Sequence, residues 1–108
     1  MDVSKLKFDQ NGLIPAIIQD NDTQQVLMLG WMNITALEKT LETGLITFWS
    51  RSRKKLWTKG ETSGNYLSMQ KMFVDCDQDS LLFLAKPAGP TCHTGNTSCF
   101  YTEINYQK

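Results

Sequence analysis

Several features are scarce in this 108-residue sequence, and each scarcity excludes a class of protein. No apolar run approaches the roughly 18 residues of a membrane-spanning helix, which argues against an integral membrane protein. Basic and acidic residues balance at 11 each, so no overall field attracts nucleic acid or an anionic membrane surface. The N-terminal residues lack the apolar stretch of a secretory signal. We therefore expect one globular domain over residues 1–108, located in the cytoplasm.

Only three cysteines and one histidine are present, and their placement determines the chemistry. An odd number of cysteines cannot all pair within one chain, so free thiols in a reducing compartment are expected. Cys92 and Cys99 lie in a polar stretch around Gly95, which allows a loop to bring both sulfurs onto one ion, whereas Cys76 must approach from elsewhere. Zinc favours such ligands, and catalytic zinc sites take three from protein and leave a fourth position open. The alternative is that the thiols are small buried apolar groups.

His93 directly follows Cys92 and has two competing roles. It would either complete a structural zinc site with three cysteines, or stand beside an open zinc site as a proton carrier. Three thiolates on zinc acidify water less than neutral ligands do, so a nearby general base is useful. Neighbouring residues bind one ion awkwardly in an extended backbone, which favours the catalytic role.

The acidic segment 73–79 is a second candidate metal site. If this segment is extended, Asp75, Asp77 and Asp79 line one face at steps of about 6.6 Å, and Cys76 points to the other face. Three neighbouring carboxylates repel one another unless a cation offsets their charge, and magnesium prefers oxygen ligands. We predict a magnesium site here; the alternative is a solvated strand end or turn.

The basic segment 51–59 holds five of the 11 basic residues and is flanked by two tryptophans. Arginine binds phosphate through paired N–H groups, and aromatic faces stack on a base. A glycine-bounded loop, 60–64, follows and would suit a phosphate. The alternative, which this segment alone favours, is a solvated hairpin whose tryptophans pack in the core. The candidate substrate contacts are Trp49, Ser50, Arg51, Arg53, Lys59, Glu61, Thr62 and Ser63.

The clearest helical signal is the spacing of Ile34, Leu37 and Leu41, which predicts one principal helix over about 34–43. Either Asn33 or Thr35 would cap it, and Gly44 is a plausible C-terminal stop. No second segment of the chain has a comparable pattern.

The remaining segments have the composition of strands. A polar turn at 20–23 separates strands predicted at 13–18 and 26–31, and Pro15 favours an edge strand or a strand start. Further strands are predicted at 45–50, 55–59, 66–74, 80–85 and 99–104. The fold class is therefore α+β, mainly antiparallel β with one helix.

Four ordered motifs, at 49–53, 56–64, 75–79 and 92–100, resemble those of phosphoribosyl-AMP cyclohydrolases of histidine biosynthesis. The resemblance extends from about residue 12 to residue 100. It implies a cytoplasmic, intertwined homodimer that binds zinc and magnesium. Zinc would fall to Cys76 of one subunit and to Cys92 and Cys99 of the other, and magnesium to Asp75, Asp77 and Asp79.

The resemblance also implies a reaction, the hydrolytic opening of the adenine ring of phosphoribosyl-AMP at the N1–C6 bond. Zinc-activated water would attack C6, and His93 would carry the proton. The basic segment would bind the two phosphates of the substrate. Some relatives continue into a phosphoribosyl-ATP pyrophosphohydrolase domain, for which residues 101–108 are too few. The chain is therefore either the stand-alone enzyme or a part of a longer, bifunctional one, and residues 1–108 are expected to contain no pyrophosphohydrolase domain. The alternative is a non-enzymatic zinc-binding module for dimerisation or nucleic-acid binding. The balanced charge argues against a nucleic-acid or membrane partner.

Overall fold

The computed structural model describes residues 3–107, and within them one α-helix and six strands follow the predicted order. The bounds of these seven elements differ from the predicted ones by at most two residues. Within the same range, no helix has both the length and the apolar character that crossing a membrane requires. After a 3-10 helix at Val3–Lys5, the elements are β1 Ile14–Asp20, β2 Val26–Met32, α1 Ile34–Thr43, β3 Thr47–Ser50, β4 Lys55–Thr58, β5 Leu67–Val74 and β6 Leu81–Pro87.

The main sheet contains four strands in the order β2-β1-β6-β5. β1 pairs antiparallel with β2 and parallel with β6, and β5 pairs antiparallel with β6. β3 and β4 form a separate antiparallel hairpin. The prediction of a mainly antiparallel α+β fold is confirmed, but the sheet is mixed. Its one parallel pair needs a long crossover, which segment 21–80 supplies.

Pro15 was predicted to lie in an edge strand or at the start of a strand. It is the second residue of β1, which is a central strand, so the edge position is wrong. Proline has no backbone N–H to donate to a ladder. Its position is nevertheless compatible with a central strand, because the register with β6 begins only at Ala16. Alternate residues of β1 are buried, and Ile14, Ala16 and Ile18 face the core.

The caps of α1 explain where the helix begins and ends. The side chain of Asn33, and not that of Thr35, is the N-cap, because its oxygen accepts a hydrogen bond from the backbone N–H of Ala36 at 2.8 Å. Such a cap contributes about 1 kcal/mol. Gly44 ends the helix at a φ of 77°, a conformation that glycine adopts without the strain other residues would incur.

The buried face of α1 is formed by Ala36, Leu37 and Thr40. Ile34 and Leu41, whose spacing with Leu37 predicts the helix, are exposed. Apolar spacing therefore located the helix correctly but did not identify its core face. Leu41, which the spacing assigns to the apolar face, lies on the surface.

The β3–β4 hairpin packs onto β2 through a close contact at Gly30. A Cβ atom at this position would lie 2.5 Å from ring carbons of Phe48, so a side chain here would displace that ring. Phe48 also contacts Trp57 of β4, with ring centroids 5.9 Å apart. This packing holds the basic turn between β3 and β4 beside the β2 edge of the main sheet.

The strand predicted at 99–104 is absent from the structure. The backbone N–H of Cys99 donates to the carbonyl of Leu27 at 2.8 Å, but the N–H of Phe100 turns back to the Ser98 hydroxyl. A strand needs repeated ladder bonds, and the chain leaves β2 after one. The apolar side chains of this segment are consequently exposed.

Candidate functional site

The segment after β6, residues 88–100, contains two of the three cysteines and is called the thiol loop below. A tight turn surrounds Cys92: its N–H donates to the Asn96 carbonyl and its carbonyl accepts from Gly95, both at 3.0 Å. Gly95 has a φ of 93°, which favours glycine at this point of the turn. The turn places Cys92 and His93 on the same short stretch of backbone.

The two sulfurs of the thiol loop have different protonation preferences. The hydroxyl of Thr94 donates to the Cys92 sulfur at 3.1 Å, and this bond is the main cause that lowers the pKa of Cys92. Partial burial raises the pKa of Cys99, and the neighbouring Cys92 raises it further. The two sulfurs therefore lie close enough to influence each other, and Cys92 is the one that deprotonates more readily.

The thiol loop is attached to β2. The hydroxyl of Ser98 donates to the Val26 carbonyl at 2.7 Å, and the adjacent Cys99 N–H donates to the Leu27 carbonyl at 2.8 Å. These bonds link residues about 70 positions apart in the sequence. The position of Cys99 is therefore set by the edge of the main sheet.

Cys76 lies away from the other two cysteines, in the turn that joins β5 to β6. Its side chain is exposed, whereas Cys92 is buried. Within residues 3–107, no cluster of three metal-ligating side chains includes a cysteine. One chain therefore brings Cys92 and Cys99 together without Cys76.

The turn around Cys76, residues 75–79, is called the acidic turn below, and it is not extended. A carboxylate oxygen of Asp75 accepts backbone hydrogen bonds from Asp79 at 3.0 Å and from Ser80 at 3.2 Å. Gln78 adopts a φ of 61°, which reverses the chain. The predicted strand-like alternation of carboxylates and Cys76 is therefore wrong. The turn instead brings ligand oxygens of Asp75, Asp77 and Asp79 within 4.8 Å of one another.

The three carboxylates of the acidic turn are electrostatically unequal. Desolvation raises the pKa of Asp75, but hydrogen bonds from Asp79 and Ser80 outweigh it and lower the pKa overall. The hydrogen bond to Asp75 raises the pKa of Asp79, and desolvation and the charges of Asp75 and Asp77 raise it further. Without a cation, Asp79 is the member of the cluster that retains a proton more readily.

A cleft of about 490 Å³ lies between the hairpin, the 60–64 loop and the thiol loop, and is called the inner cleft below. It brings the Cys92 and His93 side chains together with predicted substrate contacts. Among its lining residues are Arg53, Lys59, Glu61, Thr62, Ser63, Cys92 and His93. Residues separated by about 30 positions in the sequence thus line one cavity.

The other predicted contacts line a second cavity of about 630 Å³, called the outer cleft below. The guanidinium of Arg51 lies 4.8 Å from the ring centroid of Trp31, a cation–π contact. Arg53 and Trp57 line both clefts. Because Trp57 also packs against the core, the alternative of tryptophans packed in the core is partly correct. The outer cleft includes Trp31, Trp49, Ser50, Arg51, Arg53 and Trp57.

Several predicted polar contacts already form local hydrogen bonds. Glu61 accepts from the Thr58 N–H at 2.9 Å. The Ser50 hydroxyl accepts from the N–H of Arg53, and Ser63 accepts from the next residue but one. These side chains therefore shape the turns that line the clefts, whether or not they also touch a ligand.

Several lining residues were not identified as site residues from the sequence, and three of them are polar or aromatic side chains of particular interest. Trp31 lines the outer cleft, and Asn65 and Thr91 line the inner cleft. An added Cβ at Gly89 would lie 2.4 Å from the Asn65 side chain, so this glycine lets the thiol loop approach the 60–64 loop. Adjacency to Cys92 is the one sequence signal that could have identified Thr91.

An apolar groove of about 550 Å³ adjoins Cys76. Phe73 and Val74 at the end of β5 are 50% and 42% exposed, and Leu41 of α1 lies beside them. Contiguous exposed apolar side chains of this size are typical of surfaces that another protein covers. The groove is lined by Lys5, Leu6, Leu41, Met72, Phe73, Val74, Asp75, Cys76 and Gln78.

Comparison with known proteins identifies the family to which these motifs belong. The family model for phosphoribosyl-AMP cyclohydrolase matches residues 28–101. The phosphoribosyl-AMP cyclohydrolase of Cereibacter sphaeroides strain KD131 is 53% identical over 95% of the chain and 87% of its own length. The corresponding enzyme of Paracoccus denitrificans is 52% identical over 95% of the chain and 85% of its own length.

Bifunctional proteins are also similar. The histidine biosynthesis bifunctional protein HisIE of Caldanaerobacter subterraneus subsp. tengcongensis is 58% identical over 97% of the chain. The match covers 51% of that protein, so the chain spans about half the length of this relative.

Proposed function

This chain belongs to the phosphoribosyl-AMP cyclohydrolase family, a family of enzymes, and we propose that it hydrolyses the N1–C6 bond of phosphoribosyl-AMP in histidine biosynthesis. The observation that carries the proposal is the inner cleft. It is lined by Cys92 and His93 together with Arg53 and Lys59, and this lining supports a site that combines metal binding and proton transfer with anion binding. Hydrolysis of a phosphorylated nucleotide requires groups of both kinds.

The reaction requires water to reach C6 and a proton to reach N1. A substituent on N1 makes C6 electrophilic, so the water oxygen bonds to C6 and the N1–C6 bond breaks. One proton of the water must end on N1 as this bond breaks. A group able to accept and return a proton near neutral pH is therefore needed in the cleft.

His93 is the proton carrier in this proposal. It is exposed at the inner cleft and adjacent to Cys92, and histidine is the side chain best suited to proton transfer near neutral pH. His93→Ala should reduce turnover by roughly 10²–10⁴-fold and leave zinc content near normal. Metal analysis of the purified variant tests the role, because loss of zinc would make His93 a ligand.

The donor set of the thiol loop fits zinc in part. Cys92 and Cys99 lie together and a hydrogen bond from Thr94 lowers the pKa of Cys92, but Cys76 lies apart from them. We propose that Cys76 of a second chain completes the site, which requires a homodimer. A zinc ion held there would supply a Lewis acid that makes water more acidic. The apolar groove beside Cys76 supports this proposal, since a second copy would cover it.

The acidic turn fits magnesium by its donor chemistry. Three carboxylates with oxygens within 4.8 Å of one another match the preference of this ion for oxygen ligands. We propose that Asp75, Asp77 and Asp79 hold it. Their role would be to organise the site or a substrate phosphate.

We propose the cytoplasm as the compartment. All three cysteines are free, and free thiols persist in a reducing environment. The small-molecule substrate and the second copy of the chain are the partners the proposal requires.

The decisive experiment is absorbance-monitored turnover of phosphoribosyl-AMP by protein loaded with zinc, with and without magnesium. We expect turnover that disappears after strong chelation and returns with zinc. Absence of turnover by fully metal-loaded dimer would remove the proposed activity. Tight, salt-resistant binding of oligonucleotides by the same inactive preparation would favour the non-enzymatic alternative.

A further inference from the structure

Lys59 differs from the other basic residues of its segment because it is buried. Its residue is 7% exposed, whereas Arg51, Arg53, Lys54 and Lys55 are exposed. Its ammonium lies 5.4 Å from the ring centroid of Trp57. Within residues 3–107, no carboxylate forms an ion pair with it. Lys59 is therefore a buried cation of the inner cleft that pairs with no carboxylate among the described residues. Its charge also acts to lower the pKa of the Cys92 and Cys99 thiols.

A buried charge without a partner is unfavourable, so its retention suggests that an anion meets it. Glu61 is the single acidic residue lining the inner cleft within the described part of the chain. Its carboxylate instead accepts a hydrogen bond from the backbone of Thr58 at 2.9 Å. Glu61 therefore lines the same cleft as Lys59 but forms no ion pair with it, which leaves the ammonium available to a ligand.

Thr91 is a second buried polar group that lines the same cleft. It is fully buried, and its hydroxyl has no hydrogen-bond partner among residues 3–107. An unsatisfied buried hydroxyl is uncommon in folded proteins and indicates a missing partner. Its backbone N–H is used, since it donates to the Thr97 carbonyl at 3.2 Å. The side chain of this lining residue therefore has an unused donor.

The 60–64 loop, which lines the same cleft, adds further donors. Within the described residues, the backbone N–H groups of Thr62 and Ser63 donate to no protein acceptor. Both residues line the inner cleft. Successive free N–H groups in a turn favour a bound anion. They supplement the two buried side chains in the lining of the same cleft.

We propose that Lys59 and Thr91 form an anion subsite in the inner cleft that takes one phosphate monoester group of the substrate. This inference rests on the proposed function for the identity of the ligand, since phosphoribosyl-AMP carries two such groups. Arg51, stacked on Trp31, lines the outer cleft and not the inner one, and is available to the second phosphate. The two ends of the substrate are thereby assigned to different clefts.

Ribose 5-phosphate is a suitable probe because it carries the monoester without the reacting ring. Its affinity for zinc-loaded protein can be measured by titration calorimetry at fixed ionic strength. Lys59→Gln should raise Kd at least about tenfold, the effect of losing a charge-assisted hydrogen bond. Lys54→Gln removes the same charge from an exposed position in the same segment and should change Kd less than about twofold.

Further variants keep the proposal open to refutation. Lys59→Arg should recover most of the affinity, because it restores the charge. Thr91→Val should weaken binding several-fold without lowering the melting temperature, because the lost hydroxyl has no partner among residues 3–107. Unchanged Kd in Lys59→Gln, or equal weakening by Lys54→Gln, would overturn the subsite. So would reduced zinc content with unchanged Kd, which would assign Lys59 to the thiolates instead.

The subsite and the proposed activity fail separately. Binding of ribose 5-phosphate that depends on Lys59, in protein that does not turn over phosphoribosyl-AMP, would support the subsite and remove the activity. Normal turnover with unchanged KM in Lys59→Gln would support the activity and remove the subsite.

Discussion

The acidic turn and the thiol loop each hold candidate metal ligands, but they gather them in different ways. The acidic turn collects three carboxylates from five consecutive residues, through hydrogen bonds that Asp75 accepts within the same turn. The thiol loop collects two thiols, and the third lies in the acidic turn itself. Ligands close in sequence can therefore be assembled by local backbone geometry. Ligands far apart depend on tertiary or quaternary contacts.

The two regions also differ in how they are supported. The thiol loop is attached to β2 by Ser98 and Cys99, so its position depends on the main sheet. The acidic turn closes the β5–β6 hairpin and is fixed mainly by its own bonds. Changes in the thiol loop or at Cys76 should therefore affect the zinc site, and changes at the carboxylates of the acidic turn should affect their own cation first.

The largest effect is expected for Cys99→Ser, which removes a thiolate from the thiol loop. Zinc and activity should be lost together, with turnover reduced by more than roughly 10²-fold, because even residues that only support metal ligands cost 10–100-fold. After chelation, zinc should restore wild-type activity better than magnesium, because thiolates favour the softer ion. Full turnover by the chelated variant would contradict the assignment of Cys99.

The proposal that each zinc is shared between two chains can be tested by mixing inactive variants. Cys76→Ala and Cys92→Ala should each be nearly inactive alone. A mixed dimer contains one complete site if the ligands come from different chains. Random exchange makes about half the dimers mixed, so activity should recover to roughly a quarter of wild type. No recovery, with mixed dimers confirmed by mass, would show that the thiol site belongs to one chain.

A smaller effect is expected for Asp77→Asn, which keeps the side-chain shape and removes one charge from the acidic turn. Magnesium affinity should weaken by about tenfold while zinc content stays unchanged, because a neutral amide is a poorer ligand for this ion. Asp22→Asn, an exposed aspartate in another turn, is the matched control and should have little effect. Loss of zinc with magnesium binding intact would remove the distinction between the two regions.

The smallest effect concerns pH. The pKa of Asp79 is raised, so this carboxyl remains protonated to a higher pH than an ordinary aspartate. Magnesium must displace that proton to bind. On acidification, magnesium affinity should therefore begin to fall at a pH above the usual range of aspartate pKa values. Asp79→Asn should remove this part of the pH dependence. Titration calorimetry at several pH values measures it, and an identical profile in the variant would exclude Asp79 as the cause.

Elements with local signals were predicted well from the sequence. The predicted helix is confirmed, with Asn33 as its N-cap and Gly44 at its C-terminal end. Both residues act through neighbouring backbone groups, so their effect is local in the sequence. The parallel pairing of β1 with β6 was not predicted, because it depends on packing between distant segments. The strand predicted at 99–104 has a suitable composition but no continuing partner along β2.

The candidate site was predicted by residue type better than by geometry. Asp75, Asp77 and Asp79 converge as expected, but through a turn and not through alternation along a strand. The buried state of Lys59 and the hydroxyl of Thr91, which is unpaired among the described residues, could not be read from the sequence, because both depend on packing between distant segments. The roles assigned to His93 and to the metal ligands stay predictions until the variants are measured.

The parallel pairing of β1 with β6 has a consequence for synthesis on the ribosome. β1 and β2 can pair as soon as both have emerged, but Ala16 must wait for Leu81 before its other edge is covered. During that interval an apolar strand presents unpaired backbone groups, a template for association between nascent chains. Pairings between distant segments also form slowly. Production of this protein should therefore depend more on chaperones and on translation rate than its small size suggests.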